Sequence, residues 1–385
     1  MKIAIVHSFY RSNTPSGENS AVVNQVRLLR DAGNEVLLVS KDSDSISALE
    51  SVKLGINVAT LGGLNPIQAI TDFTPDVVHI HNTFPSFGQL WINDLKIPYV
   101  VTLHNFRPLC AAGTLSRNGK DCFECPEKGS HRAILHACYR DSKIASIPLA
   151  VASRKSGAKN PILTSKGYKI VLSKFAKEVY ERFSPTSRNL VVLPNFAEKT
   201  SRVNNFQPAR GQRHWVFIGR LSEEKGIKEL LEAWPNQEQI HVYGSGPLEE
   251  YLKLEFSGRS NILFKGMLSP ENRGEILQRA EGLLFPSTCR ENSPMVIGEA
   301  YSAGIPVIAY ASNVVGEAIA LDGGGAVFHN FKDLGKVLED FDSIRSNQLQ
   351  VVRSLYETTY SPESWLERIL SIYKSAILSS KRENF

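Results

Sequence analysis

A chain of 385 residues, 42% apolar and 22% charged, is too long for one ordinary core and too apolar to remain disordered, so two folded domains are expected. No run of about eighteen apolar residues exists to make a transmembrane helix, and Met1-Lys-Ile-Ala-Ile-Val reads as a strand instead of an export signal, which points to a cytoplasmic protein. The net charge of +5 is uneven: residues 1–200 hold 24 Lys/Arg against 16 Asp/Glu, while residues 201–385 hold 20 against 23, so the positive excess belongs to the first half.

Lys2–His7 is a short apolar strand. Glu18–Asp31 is a helix with Val22, Val23, Val26 and Leu29 on one face, stopped by Gly33. Strands follow at Glu35–Val39, Val77–His81, Pro98–His104, Lys169–Leu172 and Leu190–Leu193. Asn, Pro, Arg and Gly break the pattern over Pro194–Gln212. It restarts with strands His214–Ile218, Gln239–Tyr243, Asn261–Phe264, Gly282–Phe285 and Pro306–Ala309, each leading through a Gly- or Pro-marked turn into a helix. Ser361–Leu378 is an amphipathic helix with Trp365, Ile369, Ile372 and Tyr373 on its apolar side. Strands separated by helices imply parallel βαβ units. The expected fold class is α/β: doubly wound, Rossmann-like domains over 1–200 and 201–360, and a closing helix at 361–385 that packs back on the first domain. Ligands of such sheets bind beyond the carboxyl ends of the strands.

Two loops of the second domain carry chemistry. Phe217-Ile-Gly219-Arg220-Leu-Ser-Glu-Glu-Lys225-Gly226 is a strand, a glycine turn and two cations, which suits a phosphate or remains a turn with two surface cations. Pro286-Ser-Thr-Cys-Arg-Glu291-Asn-Ser-Pro-Met-Val-Ile-Gly-Glu299 spaces two glutamates as Glu-x7-Glu across a helix start near Ser293. Glu291 then lies in the loop, Glu299 lies in an otherwise apolar helix where a charge needs a partner, and the N–H groups from Asn292 to Met295 point toward the same cleft. Val242-Tyr-Gly244-Ser-Gly246-Pro247 is a further glycine turn.

These blocks, with Phe264-Lys-Gly266 and Ala300-x3-Gly304-x-Pro306-Val307, stand in an order and spacing that resemble the family 4 retaining glycosyltransferases (glycosyl transferases group 1), of the GT-B fold. In the first half, Ser16-Gly17, Leu29-x3-Gly33-x2-Val36, Asp76-Val-Val-His79-Ile-His81 and Thr102-Leu-His104-Asn105 extend the resemblance over nearly the whole chain. The resemblance implies a retaining transferase that moves a sugar from a UDP- or GDP-type donor to a saccharide acceptor, free or lipid-linked, in surface polysaccharide or glycan assembly. It implies that Arg220 and Lys225 hold the diphosphate and that Glu291, with Asn292, Ser293 and Met295, holds the donor sugar. Glu299 would take the ribose, and Gly219, Gly244, Gly246 and Gly266 would let the chain approach the nucleotide. His104 would touch the sugar near its reacting carbon and Gly17 would line the phosphate–acceptor cleft. Many family members have two glycines where this chain has Ser16-Gly17-Glu18.

The sequence has no Asp-x-Asp to hold a divalent metal beside a diphosphate, so no catalytic cofactor is expected and the two cations would stabilise the leaving phosphate. A sugar-nucleotide epimerase or hydrolase on the same scaffold, or a non-catalytic nucleotide-sugar binder, are the alternatives. Cys110-x11-Cys122-x2-Cys125-x12-Cys138 fits a structural zinc, and also four reduced thiols or two disulfides. Similar loops occur in a subset of the resembled family. The segment 117–177, with 13 basic and 4 acidic residues, is a solvated surface or a patch that holds the protein on an anionic inner-membrane surface. There Ile144, Ile147, Pro148, Leu149 and Val151 either dip into lipid or pack a buried helix. No interleaved aromatics favour nucleic acid.

Overall fold

The apolar alternation of the chain becomes two six-stranded parallel sheets, seen in a computed structural model that describes residues 1–10, 16–44, 48–117, 119–184, 189–200 and 214–383. The first sheet contains β1 (Lys2–Phe9), β2 (Glu35–Asp42), β3 (Val77–Ile80), β4 (Tyr99–Leu103), β5 (Tyr168–Val171) and β6 (Leu190–Val192), in the order β2-β1-β3-β4-β5-β6. The second contains β7 (Trp215–Ile218), β8 (Ile240–Tyr243), β9 (Ile262–Gly266), β10 (Leu283–Phe285), β11 (Val307–Tyr310) and β12 (Gly325–Phe328), in the order β9-β8-β7-β10-β11-β12. Strand order therefore turns back between β1 and β3 in one sheet and between β7 and β10 in the other. Such switch points open a crevice at the carboxyl edge where ligands bind. The helices used below are α1 (Gly17–Asp31), α2 (Ala48–Thr60), α3 (Lys143–Ala152), α4 (Pro270–Gln278), α5 (Met295–Ser302) and α6 (Pro362–Glu383).

The chain divides into two compact units. One comprises Met1–Arg117, Cys122–Pro194 and Leu366–Phe385, the other Asn118–Asp121 and Asn195–Trp365. The expected break at 194–212 is described only as far as residue 200; the rest lies outside the described residues. In the first unit Ile3, Ile5, Val78, Ile80 and Val101 are almost wholly buried, as strands covered on both faces require. In the second, alternate residues of β7 feed two different cores: Trp215 and Phe217 join Ile240 and Ile308, while Val216 joins Leu283 and Val307.

Local sequence sets the joints. Ser16 caps α1 by accepting from the Asn19 N–H at 3.3 Å, and Gly33, with φ of 79°, lets the chain turn away after it. Strand β12 was not expected from the sequence. Its Gly323-Gly-Gly start looks like a turn, yet Gly325 pairs with Val307, and a Cβ there would fall on the Val307 carbonyl oxygen. The last helix buries Ile369 and Tyr373. The Tyr373 hydroxyl meets His79 Nδ1 at 2.7 Å, and Arg368 Nη2 donates to the Val192 carbonyl at 2.6 Å, so the residues after Trp365 complete the first unit.

Candidate active site

At the switch point of the second unit, two loops are stapled together. The loop after β7 passes Gly219 and Arg220, forms a single tight turn over Glu223–Lys225, and reaches Gly226 in the left-handed region at φ of 65°. The loop after β10 lies against it. Ser287 Oγ donates to the Glu224 carbonyl at 3.1 Å and the Thr288 N–H to the same oxygen at 3.0 Å. A Cβ on Gly226 would strike the Pro286 carbonyl, so only glycine permits this approach. The result is an ion pair, Lys225 Nζ to Glu291 Oε2 at 2.6 Å, with both side chains about three-quarters shielded (24% and 21% exposed). Burial opposes the lysine charge, but the Glu291 carboxylate outweighs it and holds Lys225 above the usual lysine range.

Glu299 has a matching arrangement. Its helix α5 packs beside α4, and Arg273 Nη1 reaches Glu299 Oε1 at 2.5 Å. Burial raises the Glu299 carboxyl and the Arg273 charge restrains that rise. In both pairs one carboxylate oxygen is committed while the other, Glu291 Oε1 or Glu299 Oε2, is buried with no hydrogen-bond partner among the described residues. A buried acceptor left unpaired costs free energy unless a donor reaches it. Arg220 is exposed.

The other expected contacts fare differently. Ser293 accepts from the Asn195 N–H through Oγ at 3.1 Å, and its carbonyl accepts from Asn195 Nδ2 at 3.2 Å, so its hydroxyl is already engaged. Pro294 has no N–H, and α5 begins at Met295, so the donors at this helix start reduce to Asn292, Ser293 and Met295. Gly244, at φ of 134°, has the Gly219 carbonyl where a Cβ would be, and Gly246 has the Leu221 backbone there. Packing between neighbouring loops therefore already demands those two glycines. Gly266, at φ of 71°, faces open space. Arg273 was missed because no motif carries it; only tertiary packing brings it to Glu299.

The switch point of the first unit is built from imidazoles. His7, His79, His81 and His104 come from β1, β3 and the end of β4, with ring centroids 4.0 Å apart for His79 and His81 and 5.2 Å for His81 and His104. His81 Nδ1 meets His104 Nε2 at 2.9 Å, and His79 Nε2 meets Thr102 Oγ1 at 2.7 Å. Burial lowers His7 to about 4 and His79 and His104 to about 3, and drives His81 well below the usual range, so the cluster is neutral at pH 7. Beside it Glu18, in the first turn of α1, accepts from Asn105 Nδ2 at 3.3 Å. Burial raises Glu18 to about 7, against the Arg107 charge and hydrogen bonds from Asn105 and Tyr10. The Arg107 guanidinium lies 4.2 Å from the Phe84 ring centroid. Glu18, His81, Phe84, His104, Asn105 and Arg107 line a cavity of about 70 Å³. Gly17, the first residue of α1, is exposed.

All five cysteines are free thiols. Burial raises Cys125 to about 12, and Cys110, Cys138 and Cys122 add to the rise, so the four clustered thiols lie within electrostatic range. Even so, among the described residues no group of three or more His, Cys, Asp or Glu is placed to hold a metal ion. Cys110 is buried, and Cys122, Cys125 and Cys138 are half-buried. On α3 the apolar set divides: Leu149 is buried, whereas Ile144 is 80% and Ile147 44% exposed. Among the described residues no helix is long and apolar enough to cross a membrane.

The fold is GT-B: two Rossmann-like α/β domains with a C-terminal helix. Residues 200–358 match the family model described as Glycosyl transferases group 1. The chain is 24% identical over 335 residues to the sulfoquinovosyl transferase SQD2 of Arabidopsis thaliana, covering 80% of this chain and 59% of that protein. Among solved structures it is similar to sucrose-phosphate synthase from Thermosynechococcus elongatus, with a TM-score of 0.68, 15% identity and coverage of 98% and 99% of the two chains. It is also similar to HepE from Anabaena, solved in complex with UDP-glucose, with a TM-score of 0.61, 14% identity and coverage of 97% and 100%.

Proposed function

We propose that this protein is a retaining glycosyltransferase that moves a sugar from a UDP- or GDP-type nucleotide sugar to a saccharide acceptor in glycan assembly. The observation that carries the reading is the pair of half-satisfied carboxylates at the second switch point. Glu291 and Glu299 are each anchored by a cation and each keep one buried oxygen for a hydroxyl donor. Sugar and ribose hydroxyls are such donors. Lys225 and the exposed Arg220 supply positive charge beside them for a diphosphate. The family model over 200–358 and the UDP-glucose held by HepE support the same reading.

In this reading the departing phosphate is stabilised by Arg220 and Lys225 and takes the proton of the attacking hydroxyl on the same face of the sugar, which retains configuration. The test is an assay of transfer and of donor hydrolysis with a panel of UDP and GDP sugars. Transfer to a saccharide with retained configuration supports the reading. Turnover of donor without any acceptor makes the protein an epimerase or hydrolase, and binding without turnover makes it a binding protein.

A lipid-linked acceptor accords with α3, where Ile144 and Ile147 stand out beside Arg140 and Lys143, also exposed. Such a set suits an anionic membrane surface, with about 1 kcal/mol per cation near it. A structural zinc on Cys110, Cys122, Cys125 and Cys138 is a separate proposal, supported by their spacing and mutual electrostatic range. About one zinc per chain after purification without chelator supports it; a zinc-free chain with an undiminished melting temperature removes it.

A further inference from the structure

The proposed transferase function gives Glu291 to the donor sugar, and Lys225 secures only one of its two carboxylate oxygens. The residue before it is held more firmly. We infer that Arg290, clamped between Asp121 and Glu317, is a positioning residue that sets Glu291 for the sugar, and that Asp121 is the half of the clamp that can let go. The ligand in this assignment rests on the transferase reading, while the clamp stands without it.

The clamp begins at a tight turn. The Glu291 N–H donates to the Cys289 carbonyl at 3.1 Å, an i→i+2 bond that makes Arg290 the middle residue of a three-residue turn. In so short a turn the side chains of Arg290 and Glu291 share the same few backbone dihedrals, so fixing one restricts the other. The Arg290 side chain is 17% exposed. Its Nε donates to Asp121 Oδ2 at 2.7 Å and its Nη1 to Glu317 Oε1 at 2.8 Å. Charge-assisted bonds of this length to a planar guanidinium fix direction as well as distance. A single surface ion pair contributes little, but here one guanidinium is held by two carboxylates, at the residue next to the one assigned to the sugar.

The two halves of the clamp are tied to the loop in different ways. Glu317 lies in the first turn of the helix Val314–Asp322, whose cap Asn313 donates through Nδ2 to the Ser287 carbonyl at 2.7 Å. That helix is built onto the same loop. Asp121 arrives from elsewhere in the chain: Asn118–Asp121 belongs to the second unit, whereas Arg117 and Cys122 on either side belong to the first. Within this short excursion Gly119, at φ of 68°, also lies against the donor loop, since a Cβ on it would sit 3.7 Å from Thr288 Oγ1. Any shift of the excursion takes one carboxylate from Arg290 and leaves the other in place.

The experiment follows hydrogen exchange of the amides at 287–293 in the ligand-free full chain, comparing the parent, Asp121→Ala, Arg290→Ala and the double variant. Asp121→Ala should speed exchange there by about fivefold, the equivalent of about 1 kcal/mol, and leave the amides of β7 and β8 unchanged. Arg290→Ala should speed it at least as much, and the double variant no more than Arg290→Ala alone. Unchanged exchange in Asp121→Ala overturns the clamp, and so does a double variant in which the two factors multiply. Calorimetric titration of UDP, GDP, UDP-glucose, UDP-galactose and GDP-mannose into the parent and Asp121→Ala reads the link to the sugar. The nucleotide sugar bound by the parent should lose about fivefold in Asp121→Ala, while the matching nucleoside diphosphate loses less than about twofold. Equal losses overturn the positioning role, because a merely loosened fold does not separate sugar from nucleotide. A parent that binds none of these ligands defeats the transferase reading, and the exchange rates still decide the clamp. Normal donor binding with unchanged exchange in Asp121→Ala defeats the clamp and leaves the transferase reading.

Discussion

The two sheets turn back on themselves in the same way and furnish the resulting crevices with opposite electrostatics. At the β7–β10 crevice opposite charges are pressed together, Lys225 with Glu291 and, on the neighbouring helices, Arg273 with Glu299. At the β1–β3 crevice charge is suppressed: four imidazoles are held neutral and Glu18 is raised to about 7. Parallel α/β topology thus fixes where a ligand can bind and leaves its polarity to a few loop residues.

The largest expected effect is at the charged crevice. Lys225→Ala and Arg220→Ala should each lower kcat/KM by about 10²–10³-fold, or 2.7–4 kcal/mol of transition-state stabilisation, with a much smaller change in melting temperature. Near-parental turnover in both variants would mean that the diphosphate is held elsewhere. Next come the two glutamates. Glu299→Ala strands Arg273 and should weaken free nucleoside diphosphate by about 1.5–3 kcal/mol in calorimetric titration. Glu291→Ala should keep most of that affinity and lose discrimination among sugars on the same nucleotide. Equal losses would erase the division between them.

At the neutral crevice the expected effect is smaller and depends on pH. The Glu18 carboxyl rises from 4.5 to about 7 on folding, so the folded state resists its ionisation. That cost is absent below pH 4.5, grows between pH 4.5 and 7, and is full above pH 7. Glu18→Gln should therefore match the parent at pH 4 and exceed it at pH 8 by about 1–3 kcal/mol, since each tenfold change in an ionisation constant corresponds to about 1.36 kcal/mol. Equal stability at both pH values would show that Glu18 ionises freely. The smallest effect is on α3, where Ile144→Ser with Ile147→Ser should reduce flotation with anionic liposomes at low salt and leave nucleotide binding untouched. Unchanged flotation would remove that face from the membrane.

Much of this was legible in the sequence because it is written in local periodicity. The strands ending near His7, His81 and His104, and those ending near Ile218 and Phe285, follow from short apolar runs closed by polar loops. The Glu-x7-Glu block located both glutamates relative to a helix start, although α5 begins two residues beyond the expected Ser293. What was hidden depends on contacts between distant segments. Arg273 precedes Glu299 by 26 residues and no spacing rule joins them. Glu18 and Asn105 are 87 residues apart. Gly325 concealed a strand, and the close approach of Gly244 to the Gly219 carbonyl joins two loops that no local spacing connects.

The Tyr373–His79 bond has a consequence for how the molecule is made. On a ribosome, chains of this size fold domain by domain, with the first-synthesised domain usually first. Here the amino-terminal unit lacks Ile369 and Tyr373, both fully buried in the folded chain, until the second unit has been synthesised. The nascent first unit must wait, with His79 and the apolar surface beneath α6 uncovered, while the whole of the second unit emerges. A chain that has emerged only as far as Trp365 therefore has all of its second unit and lacks part of its first, reversing the usual order of completion.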